Sequence, residues 1–230
     1  MKRIAIVPAR GGSKRIPQKN IREFLGKPAI TMTLETLKLS SLFDSIFVST
    51  DSKDIAEIAL DVEGVEVFMR LPHLADDLTP TVPVVADAIR QFIENSHSSD
   101  AEILVCCVYP VNPFLLAQDL QNGLAILQNT DGISYVNSIV SYAYPIQRAV
   151  SKDADGRIEM LNPSLALTRS QDLEETFHDA GQWYWGRADT WLSQEKLLSN
   201  SIGVQIPRWR AQDIDTEEDW QMAEKLFRLE

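Results

Sequence analysis

Short apolar runs alternate with stretches of helical periodicity over the first 140 residues, and few folds accommodate that rhythm. The runs fall at residues 4–7, 46–48, 65–68, 103–108 and 132–140. Between them lie residues 28–39, with Ile30, Leu34 and Leu37 at helical spacing, then 53–60, 81–95 and 117–128. A wholly apolar strand such as 103–108 is buried on both faces. Strands joined by helices return to one sheet in parallel, by right-handed crossovers. The pattern predicts an α/β fold, a three-layer, mostly parallel sheet covered by helices. With 230 residues, 44% of them apolar, five Trp and eight Phe, the chain has bulk for one such core.

After residue 141 the rhythm changes. Residues 142–168 have little helical periodicity and contain a turn signal, Asp153-Ala154-Asp155-Gly156, between two extended runs. A β-hairpin or arm leaving the main sheet is expected there, packed on a partner subunit or lying as a surface flap. Trp183-Tyr184-Trp185 reads as a strand returning to the core. Residues 216–229 read as a final amphipathic helix with an N-terminal cap in Asp215-Thr216-Glu217-Glu218-Asp219.

The net charge of −11 argues against a non-specific nucleic-acid binder. The two cysteines, Cys106 and Cys107, are adjacent in an apolar run, so on a strand they point to opposite faces and are poorly placed to bridge. Free thiols, no signal peptide and no apolar run near the roughly 20 residues of a membrane span lead to the expectation of a cytoplasmic protein.

Against that acidic background, the first strand breaks at Pro8 into Ala9-Arg10-Gly11-Gly12-Ser13-Lys14-Arg15-Ile16-Pro17-Gln18-Lys19-Asn20, which is basic and contains no acid. Glycines let backbone N–H groups approach a ligand, and the cations add charge, which suits a bound polyanion such as a nucleotide triphosphate. An ordinary basic strand–helix loop is the plain alternative. The Gly-Lys-Ser/Thr ending of a P-loop and the GxGxxG of a dinucleotide site are both missing. Near the other end, Asp213-Ile214-Asp215 places two carboxylates on alternate positions of an extended segment, facing one way. With phosphate oxygens, such a pair suits Mg²⁺, although Asp215 could instead cap the last helix and Asp213 be merely solvated. Loop and pair together fit phosphoryl or nucleotidyl transfer, which needs both cations and metal.

The loop, Val48-Ser49-Thr50-Asp51, the stretch 70–81 and Asp213-Ile214-Asp215-Thr216-Glu217-Glu218-Asp219-Trp220 together resemble the cytidylyltransferases that activate nine-carbon acidic sugars, the CMP-sialic acid synthetase type. The resemblance runs from end to end and implies a CTP-dependent, Mg²⁺-requiring enzyme that releases pyrophosphate and a CMP-sugar. It implies that Arg10, Ser13, Lys14 and Asn20 hold the CTP phosphates and ribose. By the same likeness Arg10 and Lys19 offset charge on the α-phosphate, and Arg70, Thr79 and Thr81 lie beside the cytosine. Asp213 and Asp215 would bind the metal. Thr79 and Thr81 also flank Pro80 and could simply start a helix.

Two departures bear on the sugar. The sialic acid subfamily has Gln-Pro-Thr-Ser-Pro-Leu-Arg where this chain reads Tyr109-Pro110-Val111-Asn112-Pro113-Phe114-Leu115. It has Arg-Pro-Asn-Gly where this chain reads His178-Asp179-Ala180-Gly181-Gln182. That segment, with Tyr144-Pro145-Ile146-Gln147-Arg148-Ala149, resembles the branch acting on pseudaminic acid. N-acetylneuraminate, legionaminate and Kdo are the alternative sugars, and a silent nucleotide-binding protein is the alternative class. By alignment with the family's sugar pocket, Tyr109, Arg169, His178, Asp179, Gln182 and Tyr184 are candidate sugar contacts. The resemblance further implies a homodimer, with residues 1–140 and 181–230 as the nucleotide-binding domain and 141–180 as a dimerisation arm and sugar-pocket insertion.

Overall fold

A computed structural model describes residues 1–76, 78–96 and 103–229. The first half runs β1 (Lys2–Pro8), β2 (Glu23–Phe24), β3 (Lys27–Pro28), α1 (Ala29–Ser40), β4 (Ser45–Thr50), α2 (Lys53–Leu60), β5 (Val65–Met69) and α3 (Thr81–Ser96). The second half runs β6 (Ile103–Val108), α4 (Ala117–Asn129), β7 (Tyr135–Ser141), β8 (Val150–Lys152), β9 (Ile158–Met160), β10 (Phe177–Arg187), α5 (Ala188–Leu192), β11 (Ser201–Gln205) and α6 (Glu217–Phe227). Seven of the strands form one sheet in the order β11-β7-β10-β6-β1-β4-β5. All neighbours pair in parallel except β10, which runs antiparallel to both β6 and β7. The sheet is mixed and mostly parallel, as the alternation predicts.

Its two faces carry separate cores. Ile30, Leu34 and Leu37 of α1, Ile55 of α2 and Leu120, Leu124 and Leu127 of α4 cover one face. Val85, Ile89 and Phe92 of α3, with Trp191 of α5, cover the other. Adjacent positions on a strand point oppositely, so Cys106 belongs to the first core and Cys107 to the second, both free and buried. Burial pushes both thiols up, Cys107 beyond any ordinary titration range.

Neither strand β11 nor the direction of β10 is among the expectations drawn from the sequence. Strand β11, Ser-Ile-Gly-Val-Gln, is short and lies at the sheet edge, where alternation is weak. The antiparallel sense of β10 arises because the chain leaves the sheet after β7 and comes back reversed. The excursion carries the β8–β9 hairpin, its turn at Asp153 to Gly156. A third apolar cluster places Ile16 of the basic loop against Ile214 and Trp220. It lies where the chain's two ends meet.

Candidate active site

The basic loop is held by groups on the next strand. The Ala9 amide donates to the Ser49 carbonyl at 2.9 Å, extending the β1–β4 ladder past Pro8. The Gly11 amide donates to Asp51 Oδ1 at 2.8 Å, and a Cβ on Gly11 would stand 2.9 Å from Ser52 Cβ. Only glycine lets the backbone lie that close. Buried Asn20 closes the loop by donating from Nδ2 to the Arg10 carbonyl at 2.8 Å.

The acid segment reaches this loop from the opposite end of the chain. Ile214 is buried, so Asp213 and Asp215 on either side are turned toward the cleft. Asp215 meets Arg15 at 2.8 Å and Lys19 at 3.3 Å, and Lys19 Nζ also donates to the Ile214 carbonyl at 2.7 Å. Helix α6 is capped by Thr216 and Asp219 in a capping box, which leaves the Asp215 carboxylate for the cleft. Asp213 is held above the usual carboxylate range, first by lost hydration and then by the charge of Asp215, with Lys19 and Arg15 opposing.

The remaining wall comes from the ends of β5, α3 and β6. Arg70 is buried and donates to the Ser49 carbonyl at 2.8 Å, and burial lowers its guanidinium from the ordinary value. Thr81 opens α3, and its hydroxyl lies 2.9 Å from that of Tyr109. Thr79 donates to Asp76 Oδ1 at 2.6 Å, an exposed local turn. Burial is also the main cause that raises the Tyr109 hydroxyl.

These walls enclose one open cleft of about 450 Å³. Arg10, Ser13, Lys14, Lys19, Asn20, Arg70, Thr79, Thr81, Tyr109, Asp213 and Asp215 all line it. The other expected sugar contacts do not. Arg169 is exposed on the excursion. His178 is exposed and lies against Tyr142, with ring centroids 4.8 Å apart and the planes tilted by 58°. Tyr184 is buried and donates to Asp179 Oδ2 at 2.5 Å, while Asp179 Oδ1 accepts the Gly181 amide at the bulge of β10. Gln182 is buried too, its Nε2 donating to the Arg210 carbonyl at 2.7 Å while its Oε1 has no partner among the described residues. Arg15 is a cleft residue that the motif reading did not assign; its signal was its place among the loop's cations.

Two carboxylates beside a cationic loop suit a hard divalent cation whose other positions are filled by phosphate and water oxygens. Among the described residues, no cluster of three or more His, Cys, Asp or Glu forms a cage of protein ligands alone. Asp213, burdened by its neighbour's charge, is the kind of group that a bound cation relieves.

A mostly parallel, helix-covered sheet with a basic loop and an acid pair across one cleft has the form of a nucleotidyltransferase. The chain belongs to the cytidylyltransferase family, whose sequence profile matches residues 4–225. It is 35% identical to a pseudaminic acid cytidylyltransferase of Campylobacter jejuni, over all of this chain and 97% of that one. It is 31% identical to a CMP-N,N'-diacetyllegionaminic acid synthase of Legionella pneumophila, over all of this chain and 97% of that one. Among solved structures, a CMP:2-keto-3-deoxy-manno-octonic acid synthetase complexed with CTP shares the fold. Its TM-score is 0.71 at 16% identity, covering 100% of this chain and 99% of that one.

Proposed function

We propose that this protein transfers CMP from CTP to the anomeric hydroxyl of an acidic nonulosonic sugar, pseudaminic acid, and releases pyrophosphate. The observation that carries the reading is the convergence of Lys19 and Asp215, separated by 196 positions, at 3.3 Å in one cleft. The full-length likeness to a pseudaminic acid cytidylyltransferase supports the choice of sugar.

In the reaction the anomeric oxygen attacks the α-phosphorus in line. The new P–O bond forms as the bond to the bridging oxygen breaks, and pyrophosphate leaves with that electron pair. The hydroxyl proton passes to solvent. Arg10, Ser13 and Lys14 hold the triphosphate, and Lys19 turns from Asp215 toward the α-phosphate, where charge develops. Asn20, which already fixes the loop, meets the ribose. Arg70, Thr79 and Thr81 flank the base, and Tyr109 faces the sugar. Asp213 and Asp215 would hold Mg²⁺, which supplies charge neutralisation at the phosphate oxygens.

We further assign the protein to the cytoplasm, where its free thiols stay reduced, and to a homodimer in which the excursion carrying Arg169 lies against a second copy. Among the described residues no helix is long and apolar enough to cross a membrane.

The likeness to a legionaminic acid enzyme favours legionaminate as the second reading. Purified protein with CTP and Mg²⁺ is offered pseudaminic, legionaminic, N-acetylneuraminic and Kdo acids in turn, and pyrophosphate is measured. The expected result is fastest release with pseudaminic acid. Faster release with another acid overturns the choice of sugar; no release with any overturns the activity.

A further inference from the structure

Residues 211–213 reach the cleft as an irregular, extended strip, and what fixes their approach lies outside the cleft. Downstream, the strip is pinned by the buried Ile214 side chain and the Thr216–Asp219 cap. Upstream, the Ala211 amide donates to the Arg208 carbonyl at 3.2 Å and Gln212 Nε2 to the Trp209 carbonyl at 3.0 Å, and the buried charged anchor is Arg210. That side chain is 7% exposed and forms a buried ion pair with Asp119, itself 8% exposed, in the first turn of α4. The Arg210 carbonyl accepts from Gln182 Nε2 at 2.7 Å. The Gln182 carbonyl in turn accepts the Tyr109 amide at 2.9 Å, so one residue of β10 ties the Tyr109 wall to the acid segment.

A buried ion pair is a poor source of stability, because desolvating two charges offsets most of their attraction. What it does supply is direction. A guanidinium held against a carboxylate fixes where its own backbone lies, and here that backbone is three residues before Asp213. Buried anchors at Arg210 and Ile214, with the bonds of Ala211 and Gln212 between them, leave the strip little freedom. Ligands must be held to within about 0.5 Å to bind a metal in one geometry.

We propose that Arg210, Asp119 and Gln182 are positioning residues that set the approach of Asp213 and Asp215 to the metal-bound triphosphate. The proposal rests on the metal reading above. It also gives Gln182 a role away from the sugar.

The test separates stability from positioning. In the double variant Asp119→Leu/Arg210→Met both charges go together, so no lone buried charge remains, and the fold should melt within a few degrees of the parent. Mn²⁺ is titrated into protein saturated with CTP and followed by electron paramagnetic resonance. Half-saturation is expected about tenfold higher than in the parent, the lower end of what misplacing outer-shell partners of a metal costs. Metal-free CTP binding should stay within about twofold. A folded double variant that binds Mn²⁺ like the parent overturns the proposal.

Should the double variant not fold, Gln182→Met decides. It keeps the ion pair, removes only the amide bond to the Arg210 carbonyl, and should weaken Mn²⁺ in the same direction by a smaller factor. Unchanged Mn²⁺ binding there overturns the proposal. If the parent protein with CTP binds no Mn²⁺ at all, the metal reading itself fails and the positioning role falls with it.

Discussion

In the metal role proposed for it, Asp213 sets function against stability in a single side chain. Its folded-state pKa is raised, chiefly by lost hydration and by Asp215. A raised acid favours its neutral form in the folded protein. The stability this confers is fully present below the ordinary aspartate value and is lost as pH rises through the folded one. At neutral pH the ionised group therefore burdens the metal-free fold. Asp213→Asn is expected to raise the melting temperature at pH 7.5, with the gain shrinking at pH 4, while turnover falls by at least about 10²-fold. Melting curves of metal-free protein at both pH values, with pyrophosphate release, check this; a lower melting temperature at pH 7.5 would contradict the charge argument. The acids and the loop were legible in the sequence because each is a contiguous run whose chemistry is local. Gln182 was not. Its burial and the bond from its Nε2 to the Arg210 carbonyl are long-range facts that only the fold displays. Tyr184 likewise lies outside the cleft lining, its hydroxyl bonded to Asp179.

At the scale of elements, the helices were the easiest to read and α4 shows what lies beyond periodicity. Gly123 sits in mid-helix, where alanine would ordinarily be better by about 0.8–1.0 kcal/mol. A Cβ there would stand 2.6 Å from the Trp183 ring and 2.9 Å from Trp185. Both indoles are fully buried on β10, and Trp185 is further held by the bond from its Nε1 to the Leu120 carbonyl at 3.0 Å. Overpacking of this kind costs about 1–3 kcal/mol, which exceeds the propensity gain. Gly123→Ala should therefore destabilise by up to about 2 kcal/mol in urea unfolding; an increase in stability would mean that α4 moves off the sheet freely. That close approach also fixes which face of β10 is turned toward the helix. Its alternate residues, Trp183 and Trp185, must face α4, while Tyr184 faces α3 and α5 across the sheet. Pairing sense is a property of the excursion that precedes the strand, and nothing within Trp-Tyr-Trp encodes it. The edge strand β11 escaped notice for a related reason: its inward contacts are made by only a few small or half-exposed side chains.

Over the whole molecule, the two chain ends are brought together by contacts distinct from the reacting groups. Arg22 makes a two-pronged pair with Glu217 at 2.6 and 2.8 Å and lies over the Trp220 ring, while Trp220 packs on Phe24. The loop wall and the acid wall of the cleft are thus held together within one chain. The excursion is different. Residues 141–179 are all exposed or half-exposed, and Tyr144, Ile158, Leu161 and Leu167 are each at least two-thirds exposed. Its hairpin strands are three residues long, and an isolated hairpin of that kind is marginal in water. Fixing a backbone costs about 1–2 kcal/mol per residue, and with no buried side chains to offset it the segment needs apolar contact from elsewhere. A second copy supplies that contact in the assembly we propose. Purified protein is therefore expected to show twice the mass of one chain by light scattering at micromolar concentration. Leu161→Asp/Leu167→Asp should shift it to a single chain with the far-ultraviolet circular dichroism of the α/β core retained, since neither side chain touches that core. A parent protein of single-chain mass would remove the dimer. A double variant that stays dimeric would move the contact to another face.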